Sequence, residues 1–92
     1  MREIGRSGQF KRDYKRELKG LYRKTLAADL EAVLGEPVAD RPLEARHRDH
    51  PLSGVWSGYR DCHVRPDLVL IYAKPDPDTL ELVRLGSHSE LF

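Results

Sequence analysis

The sequence is poor in several things that would have settled its chemistry quickly. It has one cysteine, Cys62, so an intramolecular disulfide and a CxxC zinc knuckle are both excluded, and a reducing cytoplasm is the expected home. No apolar run approaches the roughly 18 residues that a membrane-spanning helix needs. The first residues, Met1-Arg2-Glu3-Ile4, lack the apolar core of a signal peptide. There is no Gly-rich phosphate cradle and no GxSxG context for a serine nucleophile. The four histidines, His47, His50, His63 and His88, show none of the short HxH or HxxxH spacings of a metal site, and no metal or other cofactor is expected. Cys62 and His63 are adjacent in a predicted strand and point to opposite faces, which makes a poor nucleophile–base pair.

What remains is an ordinary globular composition: 92 residues, 39% hydrophobic and 34% charged, enough for one small domain spanning 1–92. The net charge of +1 conceals an asymmetry. Residues 1–24 hold nine Lys/Arg against three acids, a local balance of +6, and the remainder balances to −5. A basic first quarter is either a solvated helix face or the footprint of a polyanion or acidic partner.

Residues 2–6 read as a short edge strand. Ser7 is placed to cap a helix in which Phe10, Tyr14 and Leu18 share one face and Lys11, Lys15 and Lys19 lie off it. Gly20 ends that helix. A second, with Leu26, Leu30, Val33 and Leu34 at helical spacing, should stop at Gly35 before Pro37. Residues 36–51 read as a connecting loop. Strands are predicted for Val55–Val64 with a bend at Gly58, for the apolar run Leu68–Tyr72, and for Thr79–Leu85. Turns are predicted at Arg65–Asp67 and Lys74–Asp78, and Gly86–Phe92 is a tail. The class is α+β: an N-terminal strand and a helical hairpin packed on one face of a small antiparallel sheet, the other face partly open.

His50, His63, Asp67, Arg84 and His88 fall at strand ends that a meander could gather at one rim. Simple alternation puts Arg84 on the face of Leu80 and Leu82, where a charge must be paired or wet. It could be a structural partner of a carboxylate or a phosphate-binding arginine. Together these residue types suit metal-free acid–base cleavage of RNA. The 2′-hydroxyl is the nucleophile, histidines move the protons, and an arginine steadies the phosphorane. Trp56, Tyr59 and Phe92 are either base-stacking aromatics or plain core.

These residues also carry a family resemblance. Asp49-His50-Pro51-Leu52-Ser53-Gly54, then Gly58-Tyr59-Arg60-Asp61-Cys62-His63-Val64, Pro66-Asp67, and Arg84 through Gly86-Ser87-His88-Ser89-Glu90-Leu91-Phe92 resemble the YafQ branch of the RelE-like toxins. Ser7-Gly8-Gln9-Phe10 and the basic helix also fit. The resemblance implies a fold shared with microbial ribonucleases. It implies metal-independent cleavage of mRNA in the ribosomal A site, and neutralisation by a cognate antitoxin. The toxin would be a monomer when free and part of a heterotetramer when complexed. It implies active-site roles for His50, His63, Asp67, Arg84, His88 and Phe92, with Lys11, Lys15 and Lys19 available to ribosomal RNA. Leu68 departs from the pattern, since relatives often carry tryptophan there. Two other readings stay open: a gyrase-poisoning toxin of the ParE type, and an inactive homologue that only binds antitoxin or ribosome.

Overall fold

The computed structural model describes residues 1–92. Strand β1 (Glu3–Arg6) leads into helix α1 (Gly8–Glu17), then α2 (Leu26–Val38), β2 (His50–Pro51), β3 (Arg60–Arg65), β4 (Leu68–Asp76), β5 (Thr79–Gly86) and α3 (His88–Leu91). The five strands form one sheet in the order β1-β5-β4-β3-β2. β3, β4 and β5 are the expected antiparallel meander, while β1 joins the edge parallel to β5, so the sheet is mixed.

Both meander turns are two residues long, Pro66-Asp67 and Pro77-Asp78. Proline restricts its backbone and the following Asp tolerates the turn conformation, so short polar Pro-Asp pairs between apolar runs fold back tightly. β4 is longer than its apolar run suggests. Lys74, Pro75 and Asp76 continue it as an exposed extension, and the turn is confined to Pro77-Asp78.

One sheet face carries the main core. Phe10 from α1 and Leu26, Leu30, Val33 and Leu34 from α2 pack on Cys62, Leu68, Leu70, Tyr72, Leu80, Leu82 and Leu85. Leu68 is 1% exposed in this layer. It therefore bears on packing and not on substrate approach. The opposite face has only a small cluster, Val69, Ile71 and Leu91, flanked by Leu52, Trp56, Tyr59 and Val83.

α1 is capped as the sequence suggests: the Ser7 hydroxyl accepts from Phe10 N at 2.9 Å, an interaction worth about 1 kcal/mol. The helix also replaces a strand. β1 pairs with β5 only as far as Leu82, and beyond that point α1 takes over the bare edge. Ser7 N donates to Leu82 O, Ser7 Oγ to Val83 O, and Arg16 Nη2 to Leu85 O, while Leu85 N donates to Asp13 Oδ2.

Several expectations shift. α2 does not stop at Gly35 but runs through Pro37 to Val38. Proline lacks one donor, and the loss is small in a last turn that is already ending. The stretch 36–51 is not featureless. It holds a 3-10 turn at Ala45–His47 and the two-residue β2. Gly54–Trp56 forms another 3-10 turn, so the strand expected from Val55 begins only at Arg60. Gly58, at φ +93°, marks the bend just before it. The tail is a helical turn closed by a capping box. Ser87 Oγ accepts from Glu90 N, and Glu90 Oε1 accepts from Ser87 N at 2.9 Å.

Candidate active site

The open face of the sheet collects most of the predicted chemistry. His50 on β2 stands opposite Asp61 on β3, which stands opposite Ile71 on β4, which stands opposite Arg84 on β5. The neighbouring row runs His63, Val69, Gly86, and His88 follows at the start of α3. Since directly paired residues share a face, His50, Asp61, His63 and Arg84 all lie on the sheet face opposite the main core.

This corrects the expected orientation of Arg84. The β4–β5 register steps from Ile71↔Arg84 to Tyr72↔Leu82, leaving Val83 as the extra residue of a bulge. Alternation is broken there, and Arg84 leaves the face of Leu80 and Leu82 for that of Ile71. A bulge has no signature in this stretch of sequence. Arg84 is also paired: its Nε donates to Asp13 Oδ2 at 2.7 Å and its Nη2 approaches Asp13 Oδ1 at 3.4 Å. Nη1 makes no hydrogen bond within the protein.

Asp61 is the residue that the sequence reading missed as a site member. It is 2% exposed, beside the buried Ile71 and the half-exposed His50. Burial pushes its carboxyl above the usual carboxylate range, while charged His50, His63 and His88 pull it back. Its Oδ1 lies 3.0 Å from His50 Nδ1 but receives no hydrogen bond, because that N–H points to Arg48 O at 2.6 Å. Asp61 thus sits among three imidazoles with one oxygen unpartnered. An aspartate two positions from a histidine, and so on the same strand face, is the signal that was available.

Backbone carbonyls set the imidazole tautomers. A carbonyl only accepts, so His50 Nδ1, facing Arg48 O, and His63 Nδ1, 3.2 Å from Pro66 O, both carry hydrogen. In the neutral rings Nε2 is then the basic nitrogen. His88 makes no hydrogen bond through its ring and stacks on Phe92 with centroids 4.8 Å apart. Phe92 meets Trp56 edge-on at 6.5 Å, and Trp56 meets Tyr59 at 5.4 Å. Phe92 is 49% exposed, so the arc offers a free aromatic surface next to His88.

His50 is held from behind. Asp49 points to the other face, accepts from the Tyr72 hydroxyl, and is gripped by Arg60 Nε and Nη2 at 3.2 and 3.3 Å. His47 is buried apart from the cluster, where its Nδ1 donates to His63 O at 2.7 Å and closes the β3 edge.

Asp67 is placed differently from the histidines. It lies in the β3–β4 turn, and its Oδ1 accepts from the Tyr22 hydroxyl. Arg65 covers the Tyr22 ring and pairs with Asp29 of α2 at 2.8 Å. Lys11 and Lys15 are not near the histidines either. They border an apolar groove of about 690 Å³ between α1 and α2, floored by Phe10, Leu30 and Leu34. Lys19 is exposed in the turn after α1. Cys62 is fully buried, and burial raises its thiol pKa, which makes it inert as a nucleophile.

Comparison with known proteins places this geometry. The family model for the bacterial toxin of type II toxin–antitoxin systems, YafQ, matches residues 2–92. The mRNA interferase toxin YafQ of Escherichia coli K12 is 41% identical over 91 residues, which span 99% of this chain and 96% of that one. The toxin in the crystal structure of the E. coli DinJ–YafQ complex superposes with a TM-score of 0.84 at 39% identity, covering 100% of this chain and 99% of that one. A metal-bound toxin from Helicobacter pylori, 41% identical, superposes with a TM-score of 0.83 over the full length of both chains.

Proposed function

The chain belongs to the YafQ family of type II toxin–antitoxin toxins, and from that premise we propose that it is an mRNA interferase that cuts translated mRNA in the ribosomal A site. The observation that carries the proposal is the row His50–Asp61–Ile71–Arg84 with His63 and His88 beside it, on the sheet face opposite the main core, which only a small cluster around Leu91 and Trp56 covers in part. RNA brings its own nucleophile, so the protein has only to take a proton, give one, and neutralise a phosphorane.

His88 is the first candidate for proton transfer: exposed, without an internal hydrogen bond, and backed by Phe92. His50 is its counterpart, with Nε2 presented as a base by the Arg48 carbonyl. Asp67 is the weaker choice for that role, because Tyr22 occupies its carboxylate. Arg84 holds the scissile phosphate, His63 adds charge beside it, and Phe92 stacks on a base. Asp61 places a buried carboxyl beside His50, its Oδ1 3.0 Å from the ring. No step in this scheme needs a metal ion. Phe92 and His88 lie exposed at the edge of this face. That suits a substrate whose path is shaped by a second body, here the ribosome.

Lys11, Lys15 and Lys19 contact ribosomal RNA phosphates. The apolar groove that Lys11 and Lys15 border is the docking surface for the cognate antitoxin, an acidic amphipathic segment that folds on binding. The free toxin is a monomer and the neutralised assembly a heterotetramer. No helix is long and apolar enough to cross a membrane. The site of action is the cytoplasm, where the translated mRNA is.

Primer extension on a defined mRNA, with and without translating ribosomes, tests the proposal. Codon-registered cuts that require ribosomes and vanish in His88→Ala support it. Gyrase-dependent DNA breaks without RNA cleavage would identify a ParE-type poison, and ribosome binding without cleavage an inactive homologue.

A further inference from the structure

We propose that Asp13 on α1 is a positioning residue for cleavage, fixing the Arg84 guanidinium so that its remaining nitrogen is held for the scissile phosphate. The inference rests on the phosphate-binding role proposed for Arg84.

Asp13 is 0% exposed, in the middle of a helix whose other charged residues are mostly solvated. A buried carboxylate costs free energy unless its lone pairs are filled, and here both oxygens are saturated. Oδ2 accepts from Arg84 Nε at 2.7 Å and Leu85 N at 3.1 Å. Oδ1 accepts from Gln9 Nε2 at 3.0 Å and Arg16 Nη1 at 3.1 Å, with Arg84 Nη2 at 3.4 Å.

If the only task were to fasten α1 to β5, the Ser7 and Arg16 bonds to Val83 O and Leu85 O already do so. The additional grip on Arg84 has a different consequence. Nε and Nη2 lie on one edge of the guanidinium, and engaging both locks the plane of a long side chain that otherwise rotates freely. It leaves Nη1 without a protein partner, on a side chain that is 25% exposed and rises from the row shared with His50 and Asp61. Preorganising a charged donor removes a reorganisation cost from the transition state.

α1 also steadies the other side of the site. Arg16 bonds Leu85 O and lies 3.5 Å from Glu90 of α3, the helix that begins with His88. Gly86 lies beneath it: an added Cβ would stand 2.8 Å from Arg16 Nη2 and displace the end of that side chain.

The test is single-turnover cleavage on translating ribosomes by wild type, Asp13→Asn, Arg84→Ala and the double variant, with melting curves for each. Asp13→Asn should lower kcat roughly 100-fold with KM changed little, the scale of a misplaced catalytic group. The double variant should cut no more slowly than Arg84→Ala alone, because Asp13 acts only through Arg84. A folded Asp13→Asn protein within twofold of wild type, or two losses that multiply, would overturn the proposal. An independent readout needs neither activity nor that variant. In wild-type protein without substrate, the arginine Nε–H resonance that is lost in Arg84→Lys should be resolved and slow to exchange at pH 7. Free exchange with water at that signal would refute the fixed geometry. A wild type that cuts nothing would instead defeat the ribonuclease reading, and the Nε–H signal would still decide whether Asp13 fixes Arg84.

Discussion

Two buried aspartates on the two sides of β5 respond to their surroundings in opposite directions. Asp61 is pushed up by burial. The folded chain therefore holds its proton more tightly than the unfolded chain, and the carboxylate weakens the fold above its raised pKa. That penalty disappears as the pH falls below the ordinary carboxylate value. Asp61→Asn should raise the melting temperature at pH 7 by roughly 5 °C, the shift that about 1 kcal/mol produces in a domain this size. The gain should fade by pH 3, and cleavage should drop. An unchanged or lower melting temperature at pH 7 would mean that Asp61 is held for stability. Asp13 runs the other way. Burial alone would raise its pKa, but hydrogen bonds from Arg84, Leu85 and Gln9 outweigh burial and hold it low. Its contribution is present above the ordinary carboxylate pKa and lost as the pH falls through its lowered value. Asp13→Asn should therefore destabilise the protein at pH 7 by about 1–3 kcal/mol, with the gap to wild type closing in acid. Thermal melts of both variants across pH 3–8 separate the two signs. His50, His63, His88, Arg84 and Phe92 stood out in the sequence as candidates because their types fit one reaction. Asp61 and Asp13 were not, since an aspartate in a strand or helix reads as a solvated charge until burial and partners are known.

At the scale of elements, the short last helix holds two of the proposed site residues. α3 is one turn held by the Ser87–Glu90 capping box, the Arg16–Glu90 approach and the buried Leu91, and it supports both His88 and Phe92. Ser87→Ala removes the cap at a cost of about 1 kcal/mol. Little of the sheet depends on that cap, so global stability should fall slightly while cleavage falls about tenfold or more as α3 frays. Circular dichroism melts set beside cleavage rates would show it, and equal fractional losses in both would contradict it. Strands from apolar runs, the Ser7 cap and the Pro-Asp turns followed from local chemistry, so the sequence reading found them. The extension of β4 through Lys74–Asp76, the course of α2 across Gly35 and Pro37, and the bulge that turns Arg84 around depend on tertiary pairing. No local pattern in the sequence records them.

Over the whole molecule the charge asymmetry separates two surfaces. The lysines of α1 border the groove between α1 and α2, and the histidines occupy the far face of the sheet. Ribosome attachment and RNA cleavage should therefore be separable. Reversing Lys11, Lys15 and Lys19 to Glu should weaken ribosome binding and flatten its salt dependence, while melting behaviour changes little. Affinity that stays the same at low and high salt would remove the lysines from that role. His88→Ala should do the converse, binding ribosomes with wild-type affinity and cutting nothing.

The central claim is that this face cleaves RNA by using the substrate's own 2′-hydroxyl. The most direct measurement places a single 2′-deoxynucleotide at the mapped cut site of an mRNA on translating ribosomes and compares it with the all-ribose strand. The deoxy position should resist cleavage completely, and the ribose strand should yield a 5′-hydroxyl on the downstream fragment. Cleavage that persists at the deoxy position, or a 5′-phosphate on the product, would mean that water is the nucleophile and would contradict the acid–base scheme assigned to His50, His88 and Arg84.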